Sequence, residues 1–405
     1  MDNIKRLSKR NEKLLWAGSW TSKIGDKLFD YANSVFIVGL GGPAATILAF
    51  YQSAETIIGV FFNLLGGVVA DSYSHKKICI ITDLLSGITC FILAPLLQSR
   101  IIGLYMIIAN ATLAIIHAFN SPTYKSIVRE VILKDRIKQF NAIARGVNEI
   151  IKVVSPIIGL ALVNCVGVRG ALLIDGCTFV FSAGLEALLK PLPGCEIKPA
   201  KRKNICSEMK DGMLYIKNEY WIFFLLILSG IVNFFLAGYN LLLPFTENIF
   251  IHEVGFYGKA MMAEALGGIV GAFLCAKLKA QETIRTMVLY LAVTGLWLIF
   301  IPILSTIVSC YVCLCFYFLF SGSLTIYNIQ FSTYIQTHVK TDYIGRVFSI
   351  VYTVAVLFMP IGSFVFSNLF TNGLINNYYI IGGGMVASAF IGLLANKIIN
   401  KNTSV

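Results

Sequence analysis

Apolar runs and polar breaks alternate along the chain in stretches of about 20 residues, the length a helix needs to cross a hydrocarbon core. Twelve such stretches are expected: Leu14–Leu40, Thr46–Ala70, Ile78–Leu97, Ile101–Ser121, Ala142–Val166, Gly170–Lys190, Glu219–Phe245, Tyr257–Ala276, Thr286–Leu304, Thr306–Gln330, Gly345–Phe370 and Asn377–Asn396. The longest polar stretch, Pro191 to Lys217, divides them six and six and holds Lys198, Lys201, Arg202, Lys203 and Lys210. The pattern predicts an all-α membrane protein of twelve transmembrane helices in two six-helix bundles, residues 1–190 and 219–405. Residues 191–218 form a cytoplasmic linker between them.

Composition supports this reading. Of the 405 residues 57% are hydrophobic and 13% charged, with a mean hydropathy of +0.76, whereas a soluble domain carries about 25% charged residues. The net charge of +12 is dispersed between apolar runs, so nucleic acid is not an expected partner; membrane lipid and a small molecule are. Lys and Arg stay on the cytoplasmic side of membrane helices. With the N-terminus inside, Arg100, Arg169 and Lys259 fall outside and Lys23, Lys27 and Lys152 fall within spans; the other Lys and Arg residues are cytoplasmic. Both termini are therefore expected in the cytoplasm. The first span follows Lys5, Arg6, Lys9, Arg10 and Lys13 without an Ala-x-Ala cleavage site, so it is expected to remain in the protein. The ten cysteines are scattered, and Cys310, Cys313 and Cys315 lie among apolar neighbours as packing residues, so no metal site is expected. Phosphate-loop, Gly-x-Ser-x-Gly and His-Glu-x-x-His motifs are absent, which excludes a transport ATPase on this chain alone. No catalytic residues, and no enzyme, are expected.

Ionisable groups inside a span are costly and ask for a reason. In the first span Lys23, Asp26, Lys27 and Asp30 stand at i, i+3, i+4 and i+7 on one helical face, with Asp26 near mid-membrane. Gln52, Glu55, Thr56, Gly59 and Asn63 repeat this spacing in the second span. In the fifth, Arg145, Asn148, Glu149, Lys152, Ser155, Pro156 and Gly159 do so. Three such stripes must avoid lipid, and a shared aqueous cavity would serve them. Asp26 and Glu55, followed by Asp30 and Glu149, are the candidate proton-coupling groups; the proton is the coupling ion and no cofactor is expected. Lys23–Asp26, Lys27–Asp30 and Glu149–Lys152 are alternatively static pairs within one helix. Lys23, Lys27, Gln52, Asn63 and Lys152 are cavity candidates, joined from the second half by Asn233, Asn240 and Glu264. Asp175 reads as a structural carboxylate near a helix end. Pro156 and Pro360 occupy corresponding spans of the two halves, as hinges around a midplane site do.

The segment Gly67-Val-Val-Ala-Asp71-Ser-Tyr-Ser-His75-Lys76-Lys77 resembles the signature loop of the major facilitator superfamily, Gly-x-x-x-Asp-basic-x-Gly-basic-basic, departing from it at Ser72 and Ser74. The resemblance implies that Asp71 latches onto the start of the eleventh helix at Gly345 and Arg346. Nearly the whole chain is similar to the macrolide-efflux-like drug/proton antiporters, through Gly25-Asp26-Lys27-Leu28-Phe29, Asn141-Ala142 leading to Ser155-Pro156-Ile157-Ile158-Gly159, Leu173-Ile174-Asp175, Gly345-Arg346-Val347-Phe348-Ser349 and Pro360-Ile361-Gly362. Of the antiporter signature Gly-Pro-x-x-Gly-Gly, Pro156 and Gly159 are present, with Ser155 and Leu160 at the flanking glycine positions. The resemblance implies a major facilitator fold in a bacterial cytoplasmic membrane, a monomer, and multidrug-type export of a hydrophobic or amphipathic compound by proton antiport through alternating access. Two alternatives stay open: export of an endogenous siderophore or self-made antibiotic, and a non-transporting receptor or scaffold that keeps the carrier fold.

Overall fold

The computed structural model describes residues 2–72, 74–193, 213–217, 219–251, 253–277, 283–305, 310–339, 344–370 and 374–403. Among these residues there is no strand. The side chains of Asn63, Gly67, Asp71, Glu149, Gly345 and Arg346 lie outside the described residues, and with them the expected latch.

The chain divides into two compact units, Met1–Lys201 and Arg202–Val405. The first holds α1 (Asp2–Gly39), α2 (Ala44–Ser72), α3 (His75–Leu96), α4 (Ile102–Val131) and α5 (Ile137–Ala187). The second holds α6 (Tyr220–Leu242), α7 (Phe256–Lys277), α8 (Ile284–Ser305), α9 (Cys310–His338), α10 (Ile344–Leu369) and α11 (Asn377–Thr403).

Among the described residues ten helical segments are long and apolar enough to cross a membrane, against the twelve expected. The difference has two physical sources. α1 carries Lys23, Asp26, Lys27 and Asp30 at its centre, too many charges for an apolar span. α5 takes in the expected fifth and sixth spans as one run, and its helical dihedrals are interrupted only at Gly167, with φ 69° and ψ 175°. A side chain would be strained there, so glycine lets the chain reverse without a loop.

Each unit pairs its helices in the same way. In the first, α1 packs along α5, α2 along α4, and α3 against α4 and α5. In the second, α6 packs along α10, α7 along α9, and α8 against α9 and α11. Lipid offers no hydrophobic drive for helix association, so such contacts rest on close backbone approach at small residues. At Gly267 of α7 an added Cβ would strike the Phe318 carbonyl of α9.

Helical dihedrals persist through Pro156, and the break in α5 lies eleven residues further on, at Gly167. Pro360 lies within α10, and Pro95 and Pro302 lie inside α3 and α8. Prolines inside helices are thus not confined to the expected pair. Gly159 serves packing, since its Cβ would come within 2.9 Å of the Tyr31 ring.

A polar network closes the end of the first unit that carries the chain's N-terminus. Asn11 Nδ2 donates to the Val131 carbonyl at 2.9 Å and the Lys190 carbonyl at 2.8 Å, joining the ends of α4 and α5. Arg136 donates through two nitrogens to Glu12 at 2.6 and 2.7 Å, and these bonds hold its guanidinium above its ordinary pKa. The expected signature loop is shorter than its eleven residues, because α2 runs to Ser72 and α3 begins at His75. Lys77 is exposed. Lys76 Nζ donates to the Ala187 and Leu189 carbonyls at 2.6 and 2.8 Å, a basic cap on the last turn of α5. His75 pairs with Glu130 at 2.6 Å.

Candidate functional site

A cavity of about 310 Å³ opens within the first unit among α1, α2, α4 and α5. All four members of the α1 stripe, Lys23, Asp26, Lys27 and Asp30, line it, because 3.6 residues per turn bring them to one face. α2 adds Glu55, and α5 adds Asn148 and Lys152. The α1 stripe is thus joined by Glu55 of the second stripe and by Asn148 and Lys152 of the fifth. Gln52, one turn from Glu55, is half-buried and does not line the cavity.

α4 adds two groups that periodicity alone did not single out, Asn110 and His117. Together with Leu113 and Ala114 they stand at i, i+3, i+4 and i+7, but two polar residues in an apolar span make a weak stripe. Asn110 Nδ2 donates to the Tyr51 carbonyl at 2.7 Å, tying α4 to α2. His117 Nε2 lies 3.6 Å from Asp26 Oδ1 and its ring tilts against Phe179 of α5, centroids 6.2 Å apart. At that separation the contact is electrostatic and depends on whether the imidazole carries a proton.

The three expected intrahelical pairs resolve differently. Lys27 Nζ and Asp30 Oδ2 meet at 3.0 Å, with side chains 49% and 42% exposed. Such an open pair is screened and contributes at most about 1 kcal/mol. Lys23 Nζ instead crosses to α5 and donates to Asn148 Oδ1 at 3.0 Å, so the Lys23–Asp26 pair is replaced by a bridge between helices. The Glu149 side chain lies outside the described residues.

Asp175 is fully buried; it accepts from Cys90 Sγ at 3.4 Å and Thr178 Oγ1 at 3.3 Å, and Gly25 of α1 packs directly on it. Asp175 lies eight residues past the break at Gly167, inside α5 rather than at a helix end. The second unit is built differently. Glu264 accepts a hydrogen bond from the Tyr239 hydroxyl. Asn233 Nδ2 is spent on the Ser229 carbonyl of its own helix at 2.9 Å, and Asn240 is exposed near the end of α6. Among the described residues no group of three or more His, Cys, Asp or Glu could hold a metal ion.

A charged cavity among membrane-length helices, in a chain whose halves repeat one pairing pattern, defines the class of membrane carriers. The Major Facilitator Superfamily model matches residues 15–363, and the chain belongs to that superfamily. It is a multi-pass membrane protein of the transporter type. Macrolide efflux protein A of Streptococcus pyogenes is 22% identical over 389 residues, 92% of either chain. The protein of that name from Enterococcus faecalis is 23% identical over 313 residues, 73% of this chain and 92% of its own. In fold the chain is similar to a bacterial homologue of the iron transporter ferroportin in the inward-facing state, with a TM-score of 0.75 at 15% identity, covering 97% of this chain and 98% of the other. It is also similar to the nucleoside transporter NupG, with a TM-score of 0.69 at 16% identity, covering 96% and 98%.

Proposed function

We propose that this protein is a secondary active exporter that moves a hydrophobic or amphipathic, macrolide-like compound out of the cell in exchange for protons, by alternating access, as a monomer with both termini in the cytoplasm. The observation that carries this reading is the cavity of the first unit, where Asp26 faces His117 at 3.6 Å beside Glu55. Acidic Asp26, Asp30 and Glu55 stand there against basic Lys23, Lys27 and Lys152, so the gain or loss of one proton changes the cavity charge by a full unit. A potential of 100 mV is worth about 2.3 kcal/mol per charge, enough for one proton to drive an appreciable gradient of a neutral solute. The macrolide efflux relatives support the substrate class. Lys27 is engaged by Asp30 and Lys23 by Asn148, which favours a neutral or cationic compound over an anionic siderophore.

The test is uptake of macrolides and cationic dyes by inside-out vesicles under an imposed pH gradient. Wild type is expected to dissipate the gradient as it takes up a macrolide, and Asp26→Asn to lower that uptake at least tenfold. Undiminished coupling in both Asp26→Asn and Glu55→Gln removes these carboxylates from the role.

A further inference from the structure

The cavity explains the stripe on α1 and leaves unexplained the carboxylates beyond it. α3 buries Cys79, Thr82, Asp83, Ser86 and Cys90, spaced along one face, and packs on the stretch of α5 after Gly167, which buries Asp175, Ser182 and Glu186. Asp83 is 6% exposed and Glu186 5%, and no described ion pair contains either. A lone carboxylate within a membrane span is expensive and points to function. Asp175 has its partners. Asp83 accepts from Asn120 Nδ2 at 3.2 Å and from the Ser182 hydroxyl of α5, and Glu186 Oε2 has no partner.

Their placement forms a path. Asn120 stands three residues beyond His117 on α4, so its amide holds Asp83 within a turn of the Asp26–His117 contact. Phe179, against the His117 ring, lies one turn from Ser182, and Ser182 lies one turn from Glu186. From Asp175 to Glu186 the helix rises about 16 Å. Glu186 immediately precedes Ala187, whose carbonyl Lys76 caps, at the end of the unit that carries the N-terminus. The ionisable groups around Asp83 are Asp26 and His117 on the cavity side and Glu186, Cys79 and Tyr124 on the other. Around Glu186 they are Asp83, Cys79 of α3 and Tyr124 of α4.

We propose that Asp83 and Glu186 form the route by which the coupling proton leaves the Asp26–His117 pair toward the N-terminal end of the bundle; this rests on the proton-antiport reading above. The pair gives its proton to the Asp83 carboxylate, leaving Asp26 ionised and His117 neutral. Asp83 passes it to Glu186, and Glu186 releases it to water. Each step moves one proton and no electrons, and the path returns to its starting charge.

The experiment compares two rates of radiolabelled macrolide movement in inside-out vesicles: uptake driven by a pH gradient, and exchange at equal pH on both sides. Glu186→Gln and Asp83→Asn are expected to lower driven uptake at least tenfold while exchange stays within twofold of wild type, and Glu186→Asp to recover part of the driven rate. A coupled wild type with both variants fully coupled overturns the route alone. Loss of both rates in Glu186→Gln without recovery in Glu186→Asp marks a structural residue and overturns it too. A wild type that ignores the pH gradient, or moves no macrolide, overturns the antiport reading and the route with it.

Discussion

In the first unit the polar side chains of α1, α2, α4 and α5 meet around an open cavity, with acids and bases facing each other across it. The second unit, with the same helix pairing, fills its interior with hydroxyl-tipped rings: Tyr239, Tyr317 and Tyr378 are buried, and Tyr317 and Tyr378 share a hydrogen bond at 2.5 Å. The Tyr239 ring packs 4.4 Å from Phe320, and Phe250 stacks on Phe256 at 4.0 Å. Glu264 is held there by a tyrosine hydroxyl alone among the described residues. Pairing of helices is decided by backbone approach at small residues, while what the interior can do is decided by the side chains between them.

That contrast can be broken at its steepest point first. Gly267→Val would force a branched side chain against the Phe318 carbonyl, and a cost of about 3 kcal/mol is expected. Gly268→Ala meets only the Thr325 and Ser321 hydroxyls, at 3.3 and 3.4 Å, and should cost far less. Thermal unfolding in detergent, followed by size-exclusion chromatography, separates the two; equal melting temperatures would refute the close crossing. Tyr239→Phe removes the only described donor to Glu264 and is expected to cost about 2 kcal/mol. Denaturant unfolding should show this loss, and addition of Glu264→Gln should not deepen it. Tyr317→Phe breaks the hydroxyl pair with Tyr378 at about 1 kcal/mol, read as a small midpoint shift in the same titration. The mildest change in stability falls in the first unit. Asp30→Asn should cost about 0.5 kcal/mol or less, because the pair with Lys27 is open, yet it shifts the cavity charge and should alter pH-driven transport several-fold in the vesicle assay.

Much of this was legible in the sequence. Four ionisable residues on a period of 3.6 mark the α1 stripe in the sequence, and Glu55 and Lys152 line the same cavity. His117 and Asn110 escaped because each is a single polar residue in an apolar helix, and a face needs several members to stand out. Asp83 escaped for a related reason, since it is the one carboxylate of α3 and has no period, and Glu186 shares its span with Asp175 alone; only the packing of α3 on α5 aligns Asp83 and Glu186. The turn at Gly167 was hidden because the alternation of apolar runs places a span boundary but not the dihedral that makes it. The destination of Lys23 was open, because a lysine reaches a neighbouring helix as easily as the next turn of its own.

The Asn11 bridge bears on how the chain is made. Its amide bonds to the carbonyl of Lys190, 179 positions later in the sequence. At about 5–20 residues per second of synthesis, the first helix waits roughly 10–35 s in the bilayer before that partner emerges. The earliest segment to be inserted thus gains this bond only once the first unit is nearly complete, and truncation before Lys190 would remove it while the Asn11 bond to Val131 and the Arg136–Glu12 pair remain.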